Sequence, residues 1–474
     1  MSATSAEVGQ LFWTAERVAA ALSSVATTNL PVTATPFRRV WTDTRTIEPG
    51  DLFVALVGEK FDAHDFLREA AARGAAGVVI SNATAAKGGR LGIPAYLVSD
   101  TLVALGALGT YRRRAWNKPV IGVVGTNGKT STKELLRAAL GSVLEVHATS
   151  ANLNNLVGVP LTLLSIPDAA DIAVVEMGTN QPGEVPRLRA VVEPDVTVVT
   201  SIGEEHLEGL GDLDGVMREE MAATDAVPLA IVPASQANVV DVARKRARHV
   251  TTAGIEQGDV AGTDASVDAE GRGHAIVEGV EVVVPLRGSH NLRNAMLAIA
   301  AARAAGVSVT DAARGIAAMP VPPMRSNLER LGALTLINDA YNANPGSTRA
   351  ALELLSHAGR GRQRVAILAS MLELGPHTPR LHDEIAREVL QSGVELIGAL
   401  GEFGAAFERL APREARVVTA ADTDGLWAEL SSRVTPDAVI LLKGSRGMRL
   451  ERLVKPIADW AARHNATTPT SAGR

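Results

Sequence analysis

The chain has 474 residues, with 47 Lys and Arg against 52 Asp and Glu, for a formal net charge of −5. At roughly 100–200 residues per domain this length predicts several domains, and 46% hydrophobic with 21% charged residues excludes wholesale disorder. The mildly acidic balance leaves no footprint for nucleic acid, and the absence of cysteine excludes disulfides, zinc thiolates and cysteine nucleophiles. Residues 1–20 lack a basic start and a continuous apolar core, so no signal peptide is expected. No apolar run approaches the ~20 residues that cross a bilayer, so no membrane insertion is expected. A cytoplasmic enzyme fits these features. Aromatics are only 3% of the chain, which predicts a core of Ala, Val, Leu and Ile.

Short β-branched runs alternate with Ala/Leu-rich helical stretches, the pattern of an α/β fold with mostly parallel sheets. Three blocks are visible. The first, 1–115, has strands at 52–56 and 77–80 and a helix at 63–73. Its run Arg112-Arg113-Arg114 reads as a solvated helix end. The second, 116–319, opens on the strand after Pro119 and has further strands at 172–176, 196–200 and 229–232. Its later part, 250–287, has fewer helical patterns and a hairpin centred on Gly279. Three prolines within 320–324 stop any helix and read as a linker. The third block, 320–465, has strands at 334–337, 365–368, 394–399, 416–419 and 438–442, which predicts a compact doubly wound, Rossmann-like domain. The polar tail 466–474 is expected to be disordered.

The strongest motif is Gly125-Thr126-Asn127-Gly128-Lys129-Thr130-Ser131 after the apolar run 120–124. A buried strand feeds a glycine turn and then a helix, where backbone N–H groups and the helix N-terminus favour a phosphate chain. Lys129 is placed to reach the β/γ-phosphates and Thr130 to ligate Mg²⁺. The spacing departs from the standard phosphate loop, with Val123 at the first glycine position and Gly125 serving instead. Glu176 ends the strand 172–176, where open α/β sheets assemble their sites, and a carboxylate there suits Mg²⁺. His206 follows the strand 196–200 in a run containing Glu204, Glu205 and Glu208. It reads as a metal ligand beside Thr130 and Glu176, or as a loop histidine. Asn291 and Asn294 lie one turn apart and share a helix face. They read as purine contacts, with Asn291 alternatively a helix cap. The loop Asp339-Ala340-Tyr341-Asn342-Ala343-Asn344-Pro345 concentrates polar groups after a strand and reads as part of a site.

Taken in order, these motifs resemble the Mur ligase family, in its dipeptide-adding branch. The further markers are Asp43-Thr44-Arg45, the run from Phe61 and Asp62 to His64, Thr149-Ser150 with Asn152, Asn154 and Asn155, Glu176-Met177-Gly178, His206-Leu207-Glu208-Gly209, and Lys443-Gly444-Ser445-Arg446. The likeness spans roughly residues 40–455. It implies an N-terminal α/β domain for a UDP-sugar substrate, a central phosphate-loop ATPase and a C-terminal Rossmann-like domain. It further implies that ATP and Mg²⁺ activate a peptide carboxyl as an acyl phosphate, joining D-alanyl-D-alanine to UDP-N-acetylmuramoyl-tripeptide in peptidoglycan precursor synthesis. By the same likeness Thr44 and Arg45 lie near the substrate nucleotide, and Thr149, Ser150, Asn152, Asn154 and Asn155 near the muramoyl-peptide. Asn291 and Asn294 are assigned to adenine, Asp339 to the nucleoside and Arg325 to the phosphates. Tyr341, Asn342, Lys443, Ser445 and Arg446 are assigned to the reacting groups and acceptor. A monomer is expected.

One departure stands out. The family commonly carries a carbamylated lysine after the histidine motif, whose negative tip helps hold a second Mg²⁺. That position falls at Glu220, and no lysine occurs from Glu134 through Arg244. Glu220, or neighbouring Glu219, is expected to supply the anionic group directly, unless both lie on a solvated helix face. Competing readings are the Mur ligase that adds the third residue, folylpolyglutamate synthetase, a kinase-type phosphotransferase and a non-catalytic nucleotide-binding regulator.

Overall fold

A computed structural model describes residues 11–28, 31, 35–58, 60–82, 91–321 and 327–465. The expected disordered tail, most of the proline linker and Arg325 lie outside the described residues. The chain divides into two compact units. One comprises Met1–Val120, His147–Met177 and Arg187–Pro194, and the other Ile121–Val146, Gly178–Pro186 and Asp195–Arg474.

The first unit contains a four-stranded parallel sheet, in the order Val40–Trp41, Leu52–Val54, Gly77–Ser81 and Ala95–Val98. The segment expected as one helix over 63–73 is a 3₁₀ turn, Ala63–Phe66, followed by the helix Leu67–Ala72. The Asp62 side chain accepts from His64 N within its first turn, and the buried His64 ring accepts from Ser81 N at 2.9 Å, tying the turn to the strand Gly77–Ser81. The long helix Thr101–Trp116 is capped by Asp100 and ends at Asn117 in the left-handed conformation. It closes a core in which the scarce aromatics Trp13, Phe37 and Tyr96 sit among Leu105 and Leu108. Burying each such side chain is worth about 1.5–3 kcal/mol.

The arginine run does end this helix, but only Arg114 is solvated, paired with Glu193 at the surface. Arg112 and Arg113 are buried. Arg112 donates to the Ile166 carbonyl and Asp168 at 2.5 and 2.6 Å, and Arg113 to the Val192 carbonyl at 3.2 Å. Guanidinium forks satisfy the carbonyls of two inward-turned loops, which the local sequence around the run does not reveal.

In the second unit, parallel strands run in the order Val260–Val267, His249–Ile255, Leu229–Pro233, Val196–Val199 and Val120–Val124. The hairpin Arg272–Val277 and Val280–Arg287 extends the far edge antiparallel. Its turn places Glu278 at φ 49° and Gly279 at φ 80°, the sense that matches strand twist. A six-stranded sheet follows, in the order Asn327–Leu331, Leu334–Asp339, Val439–Lys443, Arg364–Leu368, Leu396–Leu400 and Val417–Ala420. Five of these strands match the expectation within two residues at either end. The sixth, Asn327–Leu331, pairs antiparallel at the edge and is half-exposed. Its charged, weakly apolar sequence masks it. Val365, Ile367, Leu336, Ile440 and Leu442 form this core with Trp427 and Trp460. Among the described residues no helix is long and apolar enough to cross a membrane.

Candidate active site

The strand Val120–Val124 is buried throughout and delivers the glycine loop to the helix Lys129–Leu140. Gly125 has φ 119° and Gly128 φ 89°. A Cβ at Gly125 would lie 2.5 Å from Thr200 Oγ1, and one at Gly128 2.7 Å from the Asn294 amide, so conformation and space both demand glycine. Neighbouring strand ends pin the loop. Thr126 N donates to Ser201 O at 2.7 Å, Asn127 N to Ser201 Oγ at 3.1 Å, and Gly203 N to Thr126 Oγ1 at 2.9 Å. The helix begins without a side-chain cap, which leaves its first amides to an anion.

Lys129 folds back on its own loop. Its ammonium donates to the Gly125 and Thr126 carbonyls and lies 3.5 Å from Glu205 Oε1 and 3.9 Å from Glu220 Oε1. Both carboxylates are buried. Burial pushes the Glu205 carboxyl up, opposed by Lys129 and His206. Burial likewise pushes Glu220 up to about 7, with Lys129 opposing and Glu205 reinforcing. Glu220 Oε2 accepts from Gly125 N at 2.8 Å, while its Oε1 is buried without a hydrogen bond. Glu220 therefore faces the loop rather than solvent. Glu219 is committed elsewhere, accepting from Gly183 N at 2.8 Å and Val185 N at 2.7 Å at the start of a helix.

His206 lies just beyond, at φ 50° before the short helix Leu207–Leu210. Its Nδ1 hydrogen-bonds Glu373, and its Nε2 is 3.7 Å from Glu205 Oε2. Burial lowers its pKa, but the Glu373 and Glu205 carboxylates outweigh that and hold it above the ordinary value. Among the described residues no group of three or more His, Asp or Glu side chains forms a cage for a cation. Mg²⁺ does not need one, because phosphate oxygens and water complete its shell. Donors of the kind such an ion accepts stand by the loop one at a time: Thr130 in the first turn of the helix Lys129–Leu140, the His206 imidazole, and the buried Glu220 oxygen that has no hydrogen bond.

Asn291 and Asn294 do share a face, and both are buried. Asn291 is not the helix cap, because the helix Ser289–Ala304 starts after Gly288 without one. Asn291 Nδ2 instead donates to Arg287 O at 2.7 Å, and Asn294 Nδ2 to Asn291 Oδ1 at 3.2 Å. Asn294 packs against Gly128.

The third sheet contributes a second group of residues. Lys443 Nζ donates to Asp339 Oδ2 at 2.5 Å and to Asn342 O at 2.8 Å, so residues expected on different ligands are ion-paired. Ser445 Oγ accepts from Leu372 N at 3.0 Å, and the Arg446 guanidinium sits 5.5 Å from the Tyr341 ring centre. Asn344, which stood in the polar loop read as part of a site but was given no role, caps the helix Pro345–Ala358. Its amide also pairs reciprocally with that of Asn127 at 2.9 and 3.1 Å, tying the phosphate loop to the last sheet.

The remaining candidates lie in the first unit. Glu176 is buried at its strand end, its N–H donating to Thr149 Oγ1 at 2.9 Å and its Oε1 accepting from Asn154 Nδ2 at 2.8 Å. Asn155 Oδ1 accepts from Val157 N at 3.1 Å and Gly158 N at 2.8 Å, just before the helix Gly158–Leu164, whose cap position is Val157. Ser150 and Asn152 are exposed in the intervening loop. Thr44 and Arg45 form a 3₁₀ turn capped by Asp43, with the largely exposed Arg45 paired to Asp43 at 2.6 Å. Glu373 is the site residue that sequence reasoning missed outright, while Glu205 and Asn344 stood in quoted motifs without an assigned role. Glu205 stood in the quoted motif, but nothing local distinguished it from Glu204.

Comparison with known proteins adds independent findings. The Mur ligase middle domain matches residues 123–302, and the Mur ligase glutamate ligase domain matches residues 325–446. The UDP-N-acetylmuramoyl-tripeptide–D-alanyl-D-alanine ligase of Bacillus subtilis is 34% identical, covering 89% of this chain and 93% of its own length. The enzyme of the same name from Synechocystis is 33% identical, covering 88% and 91%. The crystal structure of MurF from Acinetobacter baumannii superposes with a TM-score of 0.85 at 30% identity, covering 94% of this chain and 99% of that one. A MurF ligase from Thermotoga maritima, solved in complex with ADP, shares the fold with a TM-score of 0.77 at 24% identity, covering 90% and 98%.

Proposed function

The chain belongs to the Mur ligase family, and from that premise we infer that it joins D-alanyl-D-alanine to UDP-N-acetylmuramoyl-tripeptide, converting ATP to ADP and phosphate. The observation that carries this reading is the lysine-bearing glycine loop, pinned at the C-terminal end of the strand Val120–Val124 with Lys129 between two buried carboxylates. It sits in a chain that matches dipeptide-adding ligases over most of its length.

The chemistry follows from charge. The terminal carboxylate of the tripeptide is a poor electrophile, and its oxygen attacks the γ-phosphorus of ATP. ADP leaves and an acyl phosphate forms. The dipeptide amine then attacks the acyl carbon and loses a proton, and the tetrahedral intermediate collapses with departure of phosphate. Two anions meet in the first step, so positive charge has to be supplied. Lys129 exchanges the Gly125 and Thr126 carbonyls for the β/γ-phosphates. The uncapped amides of the helix Lys129–Leu140 face the same phosphates. Mg²⁺, when bound, supplies further neutralisation, and Thr130 and His206 would hold it. The roles of Glu176 as a metal ligand and Arg325 on the phosphates rest on family resemblance alone, as do those of the first-unit residues on the UDP-sugar peptide. Glu220 supplies, without modification, the negative charge that a carbamylated lysine would bring. It does so from the loop side, through Gly125 N–H and Lys129. An adenine contact from Asn291 and Asn294 requires those amides to exchange their present partners.

A coupled phosphate-release assay tests the reading. Release is expected only when ATP, UDP-N-acetylmuramoyl-tripeptide and D-alanyl-D-alanine are all present, and Lys129→Ala is expected to abolish it. Release with a single diamino acid on the UDP-dipeptide, or with glutamate on a folate, would assign the chain to another ligase. A stable phosphorylated product would indicate a phosphotransferase, and nucleotide binding without turnover a regulator.

A further inference from the structure

The segment 373–380, which follows the strand Arg364–Leu368, meets the histidine loop 204–211 at several points. Glu373 O accepts from Glu208 N at 3.0 Å, while its carboxylate accepts from His206 Nδ1. His377 Nε2 is 3.0 Å from Gly211 O, and Arg380 donates to Glu204 at 3.0 Å. The approach is close enough that a Cβ at Gly375 would lie 3.0 Å from Glu208 Cα, and Gly375 has φ 52°. Glu373 itself is held at φ 63°, a conformation that costs a non-glycine residue of order 1 kcal/mol or more and persists only where its surroundings impose it. Its backbone and its side chain therefore both serve this junction.

A histidine ring is oriented by what its second nitrogen bonds. A carboxylate accepting from Nδ1–H fixes the tautomer that leaves the Nε2 lone pair for a cation, and raises its basicity. In this fold Nε2 points to the Glu205 side, and Glu205 neighbours Lys129. We propose that Glu373 is a positioning residue for the ligase reaction: its carboxylate, bonded to Nδ1, sets the tautomer and direction of the His206 ring toward the nucleotide-bound cation. This deepens the proposed function and rests on the reading of His206 as a metal-facing residue. It makes completion of the ATP site depend on the lobe that carries the acceptor-side loop. Arg380 takes part in the same junction without touching His206, and so separates ring positioning from lobe docking.

The test uses the full-length chain with ¹⁵N-labelled histidine. Long-range ¹H–¹⁵N spectra report the His206 tautomer, assigned with His206→Asn. Mn²⁺ titration in the presence of ADP, followed by electron paramagnetic resonance, reports cation affinity without turnover. Glu373→Ala is expected to redistribute the tautomer, weaken Mn²⁺ about 10-fold or more and raise the Mg²⁺ requirement of turnover, with little change in KM for ATP at saturating Mg²⁺. Glu373→Gln, which keeps an acceptor oxygen, recovers the tautomer in part. Arg380→Ala leaves both readouts as in the wild type. An unchanged tautomer and affinity in Glu373→Ala, beside a His206→Asn variant that loses affinity, would overturn the positioning role alone. Equal losses in Arg380→Ala would overturn it in favour of docking in general. A His206→Asn variant with wild-type affinity would overturn the reading of His206 itself.

Discussion

Replacing Glu220 by glutamine is expected to stabilise the ligand-free protein while impairing its turnover. Glu220 is fully buried, accepts from Gly125 N through one oxygen and leaves the other without a hydrogen bond. Its carboxyl is held at about 7 against an ordinary 4.5, chiefly by burial and despite Lys129. Between those values the folded chain keeps the proton and the unfolded chain releases it. Stability therefore falls as pH rises from about 4.5 to 7 and is level above that, with about 3 kcal/mol lost by pH 8. Glutamine fills the same volume and its carbonyl still accepts from Gly125 N, but it carries no charge to desolvate. Glu220→Gln should match the wild type near pH 4.5 and exceed it by up to about 3 kcal/mol at pH 8. Native-state hydrogen exchange of the amides in Val120–Val124 and Lys129–Leu140 measures this locally, without assuming that both units unfold together. The variant should also turn over more slowly and respond differently to Mg²⁺. An unchanged pH slope of opening, or a variant less stable than wild type at pH 8, refutes the electrostatic reasoning. An unchanged rate and Mg²⁺ dependence refutes the functional part.

Three further outcomes are expected. Gly128→Ala forces a Cβ to 2.7 Å from Asn294 at φ 89°, so it should cost about 1–3 kcal/mol and weaken ADP binding in calorimetry; wild-type affinity would contradict the loop geometry. A double-mutant cycle of Asn127→Ala and Asn344→Ala should give a coupling of about 1 kcal/mol or more, because the amides pair reciprocally. Additive effects in denaturation would show the pair to be incidental. Lys443→Met removes the buried ammonium that now neutralises the Asp339 carboxylate. It should destabilise the last lobe by about 3 kcal/mol, and Asp339→Asn in the same background should recover part of the loss in thermal unfolding.

The glycine loop, the strand ending at Glu176 and the hairpin at Gly279 were legible because each is encoded within about ten residues. Strand periodicity, a glycine that must take positive φ and the helix that follows are local requirements. The family markers extended that reach by their order along the chain. The arginine run shows the opposite case. Its helical position was local information, but its burial depended on carbonyls more than 50 residues away in sequence.

The same division explains the site. Glycine, lysine and threonine of the phosphate loop are chosen by backbone geometry and ligand charge, and those constraints act where the residues stand. Which acidic side chain joins them is decided by chain path. Glu219 and Glu220 are neighbours on one helix, and successive helical residues point about 100° apart, so one reaches a helix start and the other Gly125. Asn344 meets Asn127 across 217 residues, and Glu373 meets His206 across 167. No spacing rule covers such pairs. They exist because packing of the two sheets brings loop tips together, and only the folded chain specifies which polar groups arrive within hydrogen-bonding reach.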